Sequence, residues 1–346
     1  MKKILMTVRP LLISAAAALA FQAGTSQSQT VLRFNRWVPP THHTQTEMMA
    51  PWAEAVEKAT GGRVKVEFTQ ASLGPPPRQF DLAASGAADI AFGDHTYTPG
   101  RFLITKMVEF PFTGNSGEAL SVAYWKTYSP LPQAAEEHRG TKLLAVFTHG
   151  PASIMTSKKP VTSIGDLSGM KIRVPGELTS KIVSLLGGVP VAAPTTQVFD
   201  MLSKGIVDGS VYNIDAYKNF RLDKHINAIT TFDGGLYNIS FFVVMNEGKW
   251  KAIPRTDQDA IMSVSGEAFA RRAGRTWDTE DKATLELARK NGAKITNADS
   301  TFIQAVRDRT KSLREEWLRD VKGKGVNGEK LLADLQREYR AYKPAN

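Results

Sequence analysis

The sequence predicts an α/β fold divided between two domains, and three observations carry that expectation. The chain has 346 residues, more than one compact core usually serves. Its first half alternates short β-rich runs with helical patterns, which argues for βα units and a mainly parallel sheet. Beyond Thr256 the character changes to long, charge-rich helical stretches. No internal repeat or long low-complexity tract interrupts it, and 42% hydrophobic residues is ordinary for a globular protein.

At the amino terminus, residues 1 to 20 read as a secretory signal peptide. Lys2, Lys3 and Arg9 make a positive start, Leu11 to Ala20 a short apolar core, and Ala18-Leu19-Ala20 an A-x-A cleavage site. The apolar run is too short to span a bilayer, so a soluble exported chain is expected. The chain has no cysteine, which excludes a lipid-attachment cysteine, disulfides and thiolate metal sites. Without the three basic residues of the leader, 41 Lys and Arg stand against 34 Asp and Glu, a net of +7. These charges are mixed, as in Arg307-Asp308-Arg309 and Arg314-Glu315-Glu316, with no basic run interleaved with aromatics. A solvated surface is expected, and no nucleic-acid partner.

In the middle of the chain, Lys171-Ile172-Arg173-Val174 alternates polar and apolar residues like a half-buried strand, and Pro175-Gly176 ends it at once. Arg173 therefore lies at a strand's carboxyl end. In open α/β sheets that end borders the ligand crevice, and a guanidinium offers a planar fork that matches a carboxylate. A helix-like run from Leu178 to Leu186 follows, then Gly187-Gly188, Val189-Pro190-Val191, Pro194, Val198-Phe199-Asp200-Met201-Leu202, Gly205 and Val207-Asp208-Gly209. Farther on, no proline occurs from Thr256 to Asn291, where Ile261, Val264 and Ala268 recur at helical spacing. Asn297 or Asp299 is placed to cap a helix over Thr301 to Val321, whose Ile303, Val306 and Leu313 form a narrow apolar stripe. Gly323 and Gly325 break it, and Lys330 to Tyr342 reads as a final helix.

The order of motifs from Lys171 to Gly209 resembles the solute-binding subunit of tripartite ATP-independent periplasmic (TRAP) transporters, the DctP-like family. The resemblance extends to Leu32-Arg33-Phe34 as a first strand, Gly61-Gly62-Arg63-Val64-Lys65-Val66 as a second, and Leu73-Gly74. It continues through Gly86 to Phe92, Phe110-Pro111-Phe112, Asn246-Glu247-Gly248-Lys249-Trp250 and Ile253-Pro254. It implies a periplasmic-binding-protein-like α/β fold of two lobes with a ligand cleft between them and a long helix crossing both. Lobe I is expected over 31–148 plus 237–265, and lobe II over 149–236 plus 266–346. A periplasmic monomer is implied that hands a small organic acid to the small and large membrane subunits of an ion-driven permease, with no cofactor.

Residue by residue, Arg173 matches the family's carboxylate-binding arginine. Many sialic-acid-type relatives carry a second arginine within the stretch corresponding to Phe147 to Ser153, and here there is none. His149 is the one residue of that stretch expected to donate to an anion, unless it is a satisfied strand-end histidine. Tyr212 stands where those relatives place an asparagine, with Asn213 next to it; one of the two is expected to touch ligand. Trp37 matches a position that lines the cleft in relatives, or else packs in the core. Asp94 matches a cleft acid that accepts a ligand hydroxyl or caps the following turn. Pro75-Pro76-Pro77 replaces polar residues, so the pocket is expected to be more apolar than a sugar-acid site, with Trp37 and Tyr212 as opposed walls.

A metal at His42-His43 is not expected, because adjacent histidines are taken to point apart and no HExxH-like spacing occurs. No G-x-S-x-G elbow, P-loop or dinucleotide fingerprint is present, which disfavours an enzyme. The expected ligand is an aromatic, hydroxy- or keto-monocarboxylate; the alternatives are an exported hydrolase and a binding protein that serves a sensor.

Overall fold

The computed structural model describes residues 29–344; the signal peptide expected over 1–20 lies outside them. In chain order the strands are β1 (Thr30–Asn35), β2 (Val64–Phe68), β3 (Ile90–Asp94), β4 (Thr141–Thr148), β5 (Ala152–Thr156), β6 (Lys171–Val174), β7 (Val189–Ala192), β8 (Gly209–Asn213), β9 (Ala228–Thr231), β10 (Ser240–Asn246) and β11 (Lys294–Asn297). They form two sheets, ordered β2-β1-β3-β10-β4 and β11-β9-β5-β8-β6-β7. In the first, β1 pairs in parallel with β2 and β3, while β10 runs antiparallel between β3 and β4. In the second, β6 is parallel to β7 and β8, and β5 is antiparallel to β8 and β9.

Each sheet has helices packed on it and forms one lobe. β10, Ser240–Asn246, is apolar on both faces and buried except at its end, as a central strand of a covered sheet must be. The chain passes between lobes at His149–Pro151 and again just before β10. These two passages hold each other, since the Ala152 amide donates to the Tyr237 carbonyl at 3.1 Å and the Leu236 amide to the Ala152 carbonyl at 2.9 Å. Paired crossing segments with few other ties are where two lobes can hinge.

A third link is the helix Gly266–Lys290. On the first lobe, the Asp278 carboxylate accepts from the Gly117 amide at 2.6 Å and from the Ser116 hydroxyl at 2.8 Å. On the second, the Asp281 carboxylate accepts from the Asp215 amide at 2.8 Å. One helix face thus grips both lobes. The proline-free stretch from Thr256 is not a single helix: Arg255–Ser263 stops, and the long helix restarts at Gly266. Gly266 sits at φ +54°, and a Cβ there would meet the Trp125 indole of a distant helix at 2.7 Å, so backbone and packing both call for glycine where the helix restarts. Farther on, Asp299 and not Asn297 caps the helix Ser300–Gly323, accepting from the Phe302 amide at 2.8 Å.

Candidate functional site

Strand ends of both lobes converge on one cleft. β3 ends in Asp94 and leads to Tyr97, β6 delivers Arg173 and Pro175, and β8 delivers Tyr212, Asn213 and then Asp215. The turn after β1 carries Trp37, and the crossing segments carry His149, Tyr237, Ile239 and Phe241. All six residues singled out from the sequence (Trp37, Asp94, His149, Arg173, Tyr212 and Asn213) line a single cavity with about 520 Å³ of empty volume, part of it open to solvent. Pro75-Pro76-Pro77 does not line it; the Gln79 amide instead ties Gly74 and Pro75 by their carbonyls.

Arg173 is 1% exposed. Its Nε–H donates to the Ala193 carbonyl at 2.8 Å, which fixes the fork, and its guanidinium carbon lies 4.9 Å from the centre of the Tyr212 ring. Nη2 has no partner. The Thr195 hydroxyl, which also lines the cavity, is likewise buried without a partner. Burial drives the Asp94 carboxyl up to about 7, against the lowering pull of the Thr96 amide and the Arg173 charge. A buried cation with a free N–H edge is costly unless an anion meets it.

The walls are aromatic. Trp37 stacks on Phe92 with ring centres 5.5 Å apart, and its indole N–H donates to the Phe92 carbonyl at 2.8 Å. With that donor engaged, Trp37 offers the cavity only its apolar surface. Phe241 stacks on Trp277 at 4.9 Å, and both line the cavity beside Tyr212 and Phe220. Asn213 turns its amide N–H to the Asp215 carboxylate.

Of the two roles expected of His149, anion donor or satisfied strand-end histidine, its contacts fit the second. Burial lowers it to about 4, so it is neutral at physiological pH. Its Nδ1 lies against the Gly150 carbonyl, which places the proton there and leaves Nε2 an acceptor. The crossing segment therefore brings no positive charge, and Arg173 is the only arginine or lysine in the cavity lining among the described residues.

The structure also corrects the geometry expected of His42 and His43. Their rings stack, with centres 4.5 Å apart and 28° between planes, because His42 lies in the bend before the helix and so escapes helical divergence. With Asp215 they form a buried cluster whose donor atoms lie within 4.8 Å of one another. Metal ligation needs a free imidazole lone pair. His42 Nδ1 receives the Thr44 amide N–H at 3.2 Å, and His43 Nδ1 faces the Asn219 amide nitrogen at 3.1 Å. Burial lowers both rings to about 3, and His42, which accepts the Thr44 amide N–H at Nδ1, carries its proton on Nε2. As arranged, His42 offers a metal no lone pair.

Sequence reasoning missed Tyr97, Thr195, Tyr237, Phe241 and Trp277. Tyr97 follows Asp94 by three residues, and its hydroxyl accepts from the Thr195 amide at 3.0 Å across the cleft. A polar aromatic just beyond a strand end was the available signal. The others come from sequence positions that only the fold brings together.

A sequence profile described as bacterial extracellular solute-binding protein, family 7, matches residues 34–320. The chain is 29% identical to the outer membrane transporter protein TsaT of Comamonas testosteroni, over 99% of this chain and all of that one. It is similar to a TRAP periplasmic solute-binding protein of Bordetella bronchiseptica with bound (R)- and (S)-mandelate. There the identity is 36% and the TM-score 0.87, covering 90% of this chain and 99% of that one. It is also similar to a marine-metagenome TRAP solute-binding protein specific for aromatic acids, in complex with 3-hydroxybenzoate. The identity is 31% and the TM-score 0.85, covering 92% and 100% of the two chains. No helix among the described residues is long and apolar enough to cross a membrane.

Proposed function

We propose, from the premise that this chain belongs to the bacterial extracellular solute-binding proteins of family 7, that it captures an aromatic monocarboxylate between its lobes and delivers it to the membrane subunits of a TRAP permease. The observation that carries this reading is the buried Arg173 guanidinium, without a carboxylate partner and with Nη2 free, in a cavity walled by Trp37, Phe92, Tyr212, Phe241 and Trp277. The guanidinium meets the ligand carboxylate, helped by the Thr195 hydroxyl, and the ring lies against the indole and phenyl faces. The similarity to proteins with bound mandelate and 3-hydroxybenzoate supports the same ligand class.

Asp94 supplies an acceptor beside Arg173, suited to a hydroxyl on the acid's α-carbon. Trp37 and Asp94 come from the first lobe, Arg173 and Tyr212 from the second, so a ligand held by both favours closure. The mature chain acts in the periplasm as a binding protein and not as an enzyme. A thermal-shift panel of aromatic, aliphatic and dicarboxylic acids tests the reading. Aromatic monocarboxylates should give the largest shifts, with no ligand turnover. A panel led by dicarboxylates or sugar acids, or turnover of an ester or glycoside, contradicts it.

A further inference from the structure

The cavity has a further polar cluster besides Arg173, Thr195 and Asp94, and the reading above leaves it unused. β8 runs parallel to β6 with Ser210 paired to Arg173. Asn213 is three residues beyond that level, roughly 10 Å along the strand direction, and Asp215 follows it. Beside Asp215 stand His42, which is 5% exposed, and Thr44, and both line the cavity. His42 Nε2 is buried and has no partner. The Thr44 amide occupies its Nδ1 at 3.2 Å, so Nε2 carries the proton and is an unmatched donor. The Asp215 carboxyl accepts from the amides of Asn213 and Asn219; burial raises it to about 7, and it retains acceptor capacity in either form, most when ionised. Aromatic surface from Phe220 and Trp277 flanks the pair.

An unmatched donor next to an acceptor is complementary to a group that both accepts and donates through one atom. A hydroxyl does this; a methyl or a bare ring edge does neither, an ether only accepts, and an aromatic amine chiefly donates. The unmatched N–H also disfavours a cation at this place. We propose that His42 and Asp215 form a subsite for a ring hydroxyl on the aromatic acid, His42 Nε2–H donating to the hydroxyl oxygen and Asp215 accepting its proton. This rests on the aromatic-acid reading and narrows it to phenolic acids with the hydroxyl remote from the carboxylate.

Calorimetric titration of the mature protein with benzoate, 3- and 4-hydroxybenzoate, and the matching methoxy- and aminobenzoates tests it. One hydroxybenzoate should bind at least about tenfold more tightly than benzoate, the effect of satisfying a buried donor and acceptor together. Its methoxy and amino counterparts should lose that advantage. In His42→Leu the hydroxybenzoate should lose most of its advantage over that variant's own benzoate affinity, the Asp215 contact alone remaining, whereas His42→Gln, which keeps an N–H donor, should retain more of it. Equal binding of benzoate and both hydroxybenzoates overturns the subsite while leaving the aromatic-acid reading intact. So does a hydroxyl preference undiminished in His42→Leu, or one abolished by chelator and restored by zinc. If no aromatic acid binds, the functional reading falls and the subsite with it.

Discussion

Replacing Gly176 by alanine is expected to weaken ligand binding although residue 176 is outside the cavity lining. Gly176 follows β6 in the second lobe, and a Cβ built on it would lie 2.8 Å from Thr96 Cβ and 3.3 Å from the Thr96 carbonyl oxygen. Thr96 belongs to the first lobe, just after β3. The backbone at Gly176 is extended, with φ −164°, so alanine meets no strain within its own lobe. Ordinary carbon contacts are about 3.5–4.0 Å, and the lobes must separate by about 1 Å to accept the methyl group. Overpacking of this kind costs about 1–3 kcal/mol, here charged only against the closed form, which predicts a fall in affinity of roughly five- to 150-fold. Calorimetry on Gly176→Ala, Thr96→Gly and the double variant measures it. The loss should appear in Gly176→Ala and be largely relieved in the double variant, because the clashing Cβ is then gone. Wild-type affinity in Gly176→Ala, or a strictly additive double variant, would refute the idea that ligand is held by lobes closed to this separation.

Three further outcomes follow from the same geometry. Trp37→Ala and Tyr212→Ala should each cost up to a few kcal/mol of binding, as loss of an aromatic anchor does; a titration in which either variant binds like wild type removes that ring from the wall. Asp94, raised by burial from 3.8 to about 7, is protonated at pH 6 and ionised at pH 8, and an arriving carboxylate disfavours the ionised form. Affinity should therefore fall as pH rises through about 7, with proton uptake on binding above it, and Asp94→Asn should remove part of that fall, since Asp215 in the same cavity is also raised by burial to about 7; a pH-independent wild type contradicts this. The same shift means that Asp94 lowers fold stability progressively as pH rises from 3.8 to about 7, since the native state binds the extra proton in that window. Finally, a dicarboxylate of matched size should bind less tightly than the monocarboxylate, because the neutral His149 supplies no charge for the second group; thermal shifts for matched pairs check it.

The site was legible where chemistry is written into local pattern. The pattern Lys171-Ile172-Arg173-Val174, closed by Pro175-Gly176, reads as a strand with Arg173 at its carboxyl end, and it is the family resemblance of the surrounding motif that made this arginine a candidate anchor. Trp37 was legible as a large ring opening a loop. What stayed hidden depends on partners distant in sequence. The Trp125 indole that presses on Gly266 comes from a distant helix, and which of the two readings His149 takes depends on its burial and its contact to the Gly150 carbonyl. His42 and His43 were expected to point apart as sequence neighbours, yet His42 lies in a bend before the helix and the rings stack. Pro75-Pro76-Pro77 suggested an apolar cavity, and the cavity is apolar through Phe92, Phe241 and Trp277 instead.

In the proposed function, ligand capture turns on one ion pair between Arg173 and a ligand carboxylate. Calorimetric titration of an aromatic monocarboxylate such as benzoate or mandelate into wild type, Arg173→Lys and Arg173→Met, alongside the corresponding uncharged amide of the ligand, tests it directly. A charge-assisted contact is worth about 1.5–3 kcal/mol, so Arg173→Met should bind the acid roughly tenfold to two-hundredfold more weakly, with lysine recovering only part of that. Wild type should reject the amide, and Arg173→Met should lose most of the discrimination between acid and amide. Acid binding by Arg173→Met at wild-type affinity, or equal binding of acid and amide by wild type, would contradict the central claim.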